Sequence, residues 1–80
     1  MSVIEQIEEI WRDTLDMEDD EKISHEKTFF EMGGNSLTAM IVLDEIKETF
    51  SLQIEVNELY QNDTIEKVAE LVEKKLTEVQ

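Results

Sequence analysis

The sequence predicts an all-α fold: a small four-helix bundle of three main helices and one short helix, with a long first loop. Three observations carry this reading. Apolar residues recur at three- and four-residue steps in three separate stretches. Polar capping patterns stand at the heads of helices. The one stretch that alternates like a strand, residues 51–56, has no second strand to pair with.

The first helix is expected over Val3–Leu15. Ser2-Val3-Ile4-Glu5 has capping-box spacing, a serine with a glutamate three residues on. Ile4, Ile7, Trp11 and Leu15 share one face, Val3 and Ile10 widen it, and Glu5, Glu8, Glu9 and Arg12 cover the rest. Asp16 to Glu21 is acidic and, Met17 apart, poor in apolar residues, so a loop begins there and reaches to about Asn35. A loop of about 20 structureless residues is uncommon in a compact domain. Ile23, Phe29 and Phe30 are expected to pin it to the core, and Thr28-Phe29-Phe30-Glu31 to cap a short helical turn.

The second helix is expected over Ser36–Phe50. Ala39, Leu43, Ile46 and Phe50 follow i, i+4, i+7, i+11. At about 100° per residue they fall in one narrow sector, the expected core face. Leu37, Met40, Ile41, Asp44 and Glu48 point mostly the other way. Apolar residues mixed with acids on such a face read as a docking surface, the alternative being that another helix covers them. Residues 51–56 are an extended connector with Leu52, Ile54 and Val56 inward. Asn57 is the expected cap of a short helix, Glu58–Gln61, whose Leu59 and Tyr60 tuck inward. Asp63-Thr64-Ile65-Glu66 opens a last helix over Thr64–Thr77, with Ile65, Val68, Ala69, Val72 and Leu76 as its stripe and Leu71 at the edge.

Eighty residues suit one domain, 1–80, with a modest core. Lys plus Arg number 7 and Asp plus Glu 21, so the formal charge is 7 − 21 = −14. That balance argues against nucleic acid, where phosphate neutralisation by Lys and Arg supplies most of the affinity, and against an anionic membrane surface. It suits protein partners with basic patches, or simply a solvated acidic surface. Cysteine is absent, so disulfides and cysteine-based zinc sites are excluded. The start lacks the basic and apolar regions of a signal peptide, and the longest apolar run, Met40 to Leu43, is far too short for a bilayer. A soluble cytoplasmic protein is expected, monomeric at this charge. Asn62-Asp63-Thr64 matches a glycosylation sequon and is read as chance.

The best chemical handle is Ser36, in Gly33-Gly34-Asn35-Ser36-Leu37. Glycine lets the chain turn sharply, and both Asn and Ser are favoured helix caps. Ser36 therefore stands where a loop becomes a helix, at the positive end of the dipole, a good place for a phosphate group. A serine cap alone is usually structural. Catalysis finds little support. His25 is the only histidine and lies in the acidic loop, and Gly34-Asn35-Ser36-Leu37-Thr38 lacks the second glycine of a nucleophile elbow. No enzyme and no catalytic residue are expected. A calcium loop counted from Asp16 needs glycine sixth and glutamate twelfth but meets Glu21 and Lys27, so no metal site is expected.

Phe29-Phe30-Glu31-Met32-Gly33-Gly34-Asn35-Ser36-Leu37 resembles the centre of acyl and peptidyl carrier proteins: an aromatic, two further residues, Gly-Gly, a polar residue, then Ser-Leu. Ala39, Leu43, Ile46 and Phe50 match the helix that follows, and Ile54, Leu59, Thr64 and Ile65 the later positions. Ser51 departs, where members often carry glycine at the helix end.

The resemblance implies a four-helix fold and a phosphoprotein whose Ser36 carries 4′-phosphopantetheine, installed from coenzyme A by a phosphopantetheinyl transferase. It implies a thiol-ended arm that holds cargo as a thioester, and loading and downstream synthase or transferase enzymes as partners. Leu37, Met40 and Ile41 would make the apolar contacts, with Asp44 and Glu48 as the charged rim. Gly-Gly before the polar residue resembles carriers of nonribosomal peptide and some polyketide synthesis. Fatty-acid carriers more often have Asp where this chain has Asn35. A free-standing carrier of aminoacyl, peptidyl or polyketide-type intermediates is the favoured reading. The alternatives are a fatty-acid-type carrier and an unmodified acidic adaptor for basic proteins.

Overall fold

A computed structural model describes residues 2–18 and 22–78. Asp19, Asp20 and Glu21, part of the acidic run considered for calcium, lie outside the described residues. Four helices follow one another: α1 (Val3–Thr14), α2 (Ser36–Phe50), α3 (Val56–Gln61) and α4 (Ile65–Glu78). Among the described residues the extended connector forms no strand, and the sole β-bridge joins Thr28 to Thr64. α1 packs against α2 and α4, and α3 packs on α2.

The caps explain most of the boundaries. Ser2 Oγ accepts from the Glu5 amide at 3.3 Å while Glu5 Oε1 accepts from the Ser2 amide at 3.1 Å, the reciprocal box that fixes the start of α1. Thr64 Oγ1 accepts from the Lys67 amide at 3.1 Å and heads α4. The cap of α3 differs from the expectation. α3 starts at Val56, not Glu58, and its N-cap is Glu55, not Asn57. The Glu55 amide donates to Glu58 Oε1 at 3.0 Å, and Lys75 of α4 adds an ion pair to the same carboxylate at 3.1 Å. A carboxylate held from both sides defines the end better than Asn57 does. The Glu55 amide is the leading cause that lowers the Glu58 pKa, with the Lys75 contacts as further lowering causes.

The core is built from Ile7, Ile10, Trp11, Phe29, Ala39, Val42, Ile46, Leu52, Ile54, Leu59, Ile65, Val68, Ala69 and Val72. Ile23 packs against it and Phe29 is fully buried, so the first loop is pinned as expected. Four particulars correct the sequence reading. On α2, Val42 is fully buried while Leu43 and Phe50 are only partly so; the core face is turned toward Val42. On α3, Leu59 is buried but Tyr60 is exposed, its ring 5.5 Å from that of Phe30. Phe30 itself is at the margin of exposure, edge-on to Phe29. Leu76, near the end of α4, is exposed beyond the reach of the core. Val56 is half-buried at the first turn of α3.

Candidate functional site

The segment before α2 is held by one aromatic side chain. Phe29 is fully buried and meets Trp11 edge-on at a centroid distance of 5.3 Å. Its amide donates to the Asp63 carbonyl at 2.7 Å, tying the loop to the head of α4. Residues 28–33 form the short turn expected from Thr28-Phe29-Phe30-Glu31. Glu31 Oε1 accepts from the Thr28 amide at 2.9 Å, and Thr28 Oγ1 accepts from the Glu31 amide at 3.0 Å. The Thr28 amide is the main cause that holds the Glu31 carboxyl below its ordinary range.

The two glycines serve different ends. Gly33 has φ +101°, which L residues rarely adopt, and its α-carbon faces open space. Gly34 lies on the Phe29 ring so closely that a Cβ there would enter it. The Gly34 amide closes the turn onto the Phe29 carbonyl at 3.0 Å.

The chain then enters α2, and here the structure separates two residues that the sequence leaves equivalent. Asn35 is the N-cap, in an extended conformation, and its Oδ1 accepts from the Thr38 amide at 3.0 Å. Ser36 is the first helical residue, not the cap. Its side chain is exposed, and among the described residues no hydrogen bond engages its hydroxyl. The amides of Ser36 and Leu37 are likewise without a carbonyl partner, as the first amides of a helix must be. A free hydroxyl beside open amides at the positive end of a fifteen-residue helix suits a covalently attached phosphate. These residues fit the group.

Beyond Ser36 the outward face of α2 is apolar and then acidic. Leu37 is 73% exposed, Met40 56% and Ile41 45%, so among the described residues no other helix covers them. Asp44 and Glu48 continue the same face and are exposed. An open groove of about 300 Å³ runs beside it, between Met40, Leu43, Asp44 and Lys47 of α2 and residues 53–56. Thus Ser36 and the five expected docking residues share one exposed side of one helix.

His25 is not on that side. Its Nε2 lies 3.2 Å from Glu8 of α1, and its carbonyl accepts from the Glu66 amide at 3.3 Å, so it ties the loop to α1 and α4. Among the described residues no group of three or more acidic or histidine side chains is placed to hold a metal. No helix of the described residues is long and apolar enough to cross a membrane. Sequence reasoning missed Thr38. The signal was present: Asn35 and Thr38 have capping-box spacing with threonine in the place of Glu or Gln.

The profile described as "Phosphopantetheine attachment site" matches residues 5–72. Tyrocidine synthase 3 of Brevibacillus parabrevis is 34% identical over 71 residues, 89% of this chain. Polyketide synthase PksN of Bacillus subtilis is 34% identical over 68 residues, 85% of the chain. The chain spans only 1% of the length of either relative. Among solved structures, a complex of the phosphopantetheine transferase Sfp with coenzyme A and a peptidyl carrier protein matches with a TM-score of 0.84 at 26% identity, covering 92% of each chain.

Proposed function

This chain belongs to the phosphopantetheine attachment-site family, and from that premise we propose that Ser36 is the residue that bears the group. It is a carrier domain of the nonribosomal-peptide and polyketide type, not an enzyme. The 4′-phosphopantetheine such domains carry supplies a flexible arm with a terminal thiol that holds cargo as a thioester. The observation that carries the Ser36 assignment is the division of labour at the head of α2. Asn35 takes the capping bond and leaves the Ser36 hydroxyl exposed and free.

The reading extends along α2. Leu37, Met40 and Ile41 make the apolar contacts with partner proteins and Asp44 and Glu48 the acidic rim, complementary to basic partner surfaces. The partners are a phosphopantetheinyl transferase, an enzyme that loads an acyl or aminoacyl group, and the downstream synthase or transferase. The cargo is aminoacyl, peptidyl or polyketide-type. Residues 1–80 act as one monomeric carrier unit in the cytoplasm.

Intact mass after incubation with coenzyme A and a promiscuous transferase tests the assignment. The parent gains one phosphopantetheine and Ser36→Ala gains none. Addition to Ser36→Ala moves the site elsewhere. Binding of partners weakens with added salt if the acidic rim contributes, since exposed charges are screened over about 8–10 Å at moderate ionic strength. Salt-independent affinity leaves the apolar residues alone as the docking surface.

A further inference from the structure

We propose that Thr38 is a positioning residue for Ser36, through its hold on Asn35. The inference rests on Ser36 as the attachment residue. Thr38 Oγ1 stands 2.8 Å from the Asn35 amide nitrogen and accepts its hydrogen. The same hydroxyl donates to the Asn35 carbonyl oxygen at 3.0 Å. A hydroxyl donates one hydrogen bond while accepting others, so both roles are filled at once. The Asn35 carbonyl belongs to the peptide plane whose nitrogen is that of Ser36. It also accepts from the Ala39 amide at 2.8 Å.

One side chain therefore grips the main chain on both sides of Asn35. Just upstream lies Gly33, the most permissive residue of the turn, at a φ that only glycine adopts freely. Without the grip, the Asn35 torsions are the soft joint between that turn and the helix. With it, the peptide plane that sets the Ser36 Cα and hydroxyl is fixed before any transferase arrives. Preset geometry of this kind acts on the chemical step rather than on docking.

In that step the Ser36 Oγ attacks the β-phosphorus of the coenzyme A pyrophosphate. A new O–P bond forms, the P–O bond to the nucleotide breaks, and adenosine 3′,5′-bisphosphate leaves with the electron pair. The hydroxyl proton passes to a base of the transferase. Thr38 touches none of these atoms.

The test compares steady-state transfer from coenzyme A by a promiscuous transferase to the parent, Thr38→Val, Thr38→Ser and Ser36→Ala, each with its thermal melt. Thr38→Val keeps the branched shape and leaves the Asn35 Oδ1 bond to the residue-38 amide intact, so the helix retains its cap. The expected result is a kcat lowered about tenfold or more for Thr38→Val, KM within about twofold, and return to the parental kcat in Thr38→Ser. Three results overturn the proposal. These are an unchanged kcat, a loss that appears in KM alone, and a loss that vanishes when rates are expressed per folded molecule. Transfer to Ser36→Ala overturns instead the assignment on which the proposal rests.

Discussion

The two ends of α2 are built to different standards. At the front, Gly33 and Gly34, the Asn35–Thr38 box and the buried ring of Phe29 leave the backbone almost no freedom. At the back, the helix stops on Ser51, a residue with a side chain, in the left-handed region at φ 55° and ψ 41°. The Ser51 amide donates to the Lys47 carbonyl at 2.9 Å, and glycine would adopt the same conformation more readily. Both glycines of the chain stand at the front, where one backbone conformation disfavours a side chain and one close approach leaves no room for a Cβ. The strain tolerated at the back is the kind a serine can bear, and it lies a full helix away from Ser36. Geometric exactness is concentrated at the end of α2 that holds Ser36.

The largest effect that tests this contrast comes from Gly34→Ala. The added methyl enters the Phe29 ring, which is held by Trp11, by Phe30 and by its own amide bond to Asp63. Overpacking of this kind costs about 1–3 kcal/mol, and the rigidity of the ring places this case at the upper end. Thermal melting followed by circular dichroism should show a midpoint lower by 10 °C or more, at about 4–8 °C per kcal/mol for a domain of this size. Phe29→Leu in the same chain should recover part of that loss, because the two sites touch and their costs are not additive. An unaltered midpoint would remove the steric account of the second glycine.

Gly33→Ala comes next, and it sharpens the distinction between the two glycines. Nothing lies near a Cβ at this position, so the cost is backbone strain alone, about 1–3 kcal/mol. Shrinking Phe29 should give it no relief. If Phe29→Leu rescues both variants equally, the two glycines act as one unit and the separation drawn above fails.

How far these features could be read in the sequence depends on what each one rests on. The helices α1, α2 and α4 were legible because their stripes repeat along one element, and the boundaries of α2 fall where the spacing puts them. The tight turn ahead of α2 was legible because two adjacent glycines have few other uses. The rotation of α2 was not. Ala39, Leu43, Ile46 and Phe50 form a tidy sector, but which edge of it sinks deepest is decided by the neighbouring helices, and they bury Val42. Tyr60 was misplaced for a related reason. An aromatic on a six-residue helix looks like core until Phe30 arrives from a loop thirty residues away and gives its ring a partner near the surface. Asn35 and Ser36 are nearly equal as caps on paper, and the Thr38 hydroxyl tips the choice to Asn35.

Ser51→Gly probes the back of α2 with a smaller effect of opposite sign. Removing the side chain relieves the left-handed strain, while glycine's freedom in the unfolded chain offsets part of the gain, so a net stabilisation of about 0.5–1 kcal/mol is expected. Chemical denaturation should move the midpoint upward with its slope unchanged. The rate of phosphopantetheine transfer should not change, since this end lies far from Ser36 along the helix. A loss of stability would mean that the Ser51 side chain contributes something its conformational cost conceals.

The smallest effect distinguishes the two ends by pH. Glu31 accepts the Thr28 amide in the turn ahead of the glycines, and that bond holds its pKa below the ordinary 4.5. A carboxyl with a lowered folded pKa adds stability that is complete above its unfolded value and is lost as the pH falls through the folded one. Acid should therefore loosen the front of α2 first. Amide exchange at Met32, Gly33 and Gly34 should quicken, relative to that at Ser51, as the pH drops below about 4.5. Glu31→Gln keeps an acceptor oxygen but cannot ionise, so it should reduce this difference between the ends. Glu5 and Glu58, with pKa values lowered in the same way at the heads of α1 and α3, continue to titrate in that variant. Any acid response of the front that survives Glu31→Gln in full would originate elsewhere in the chain, and the turn would have no titrating lock of its own.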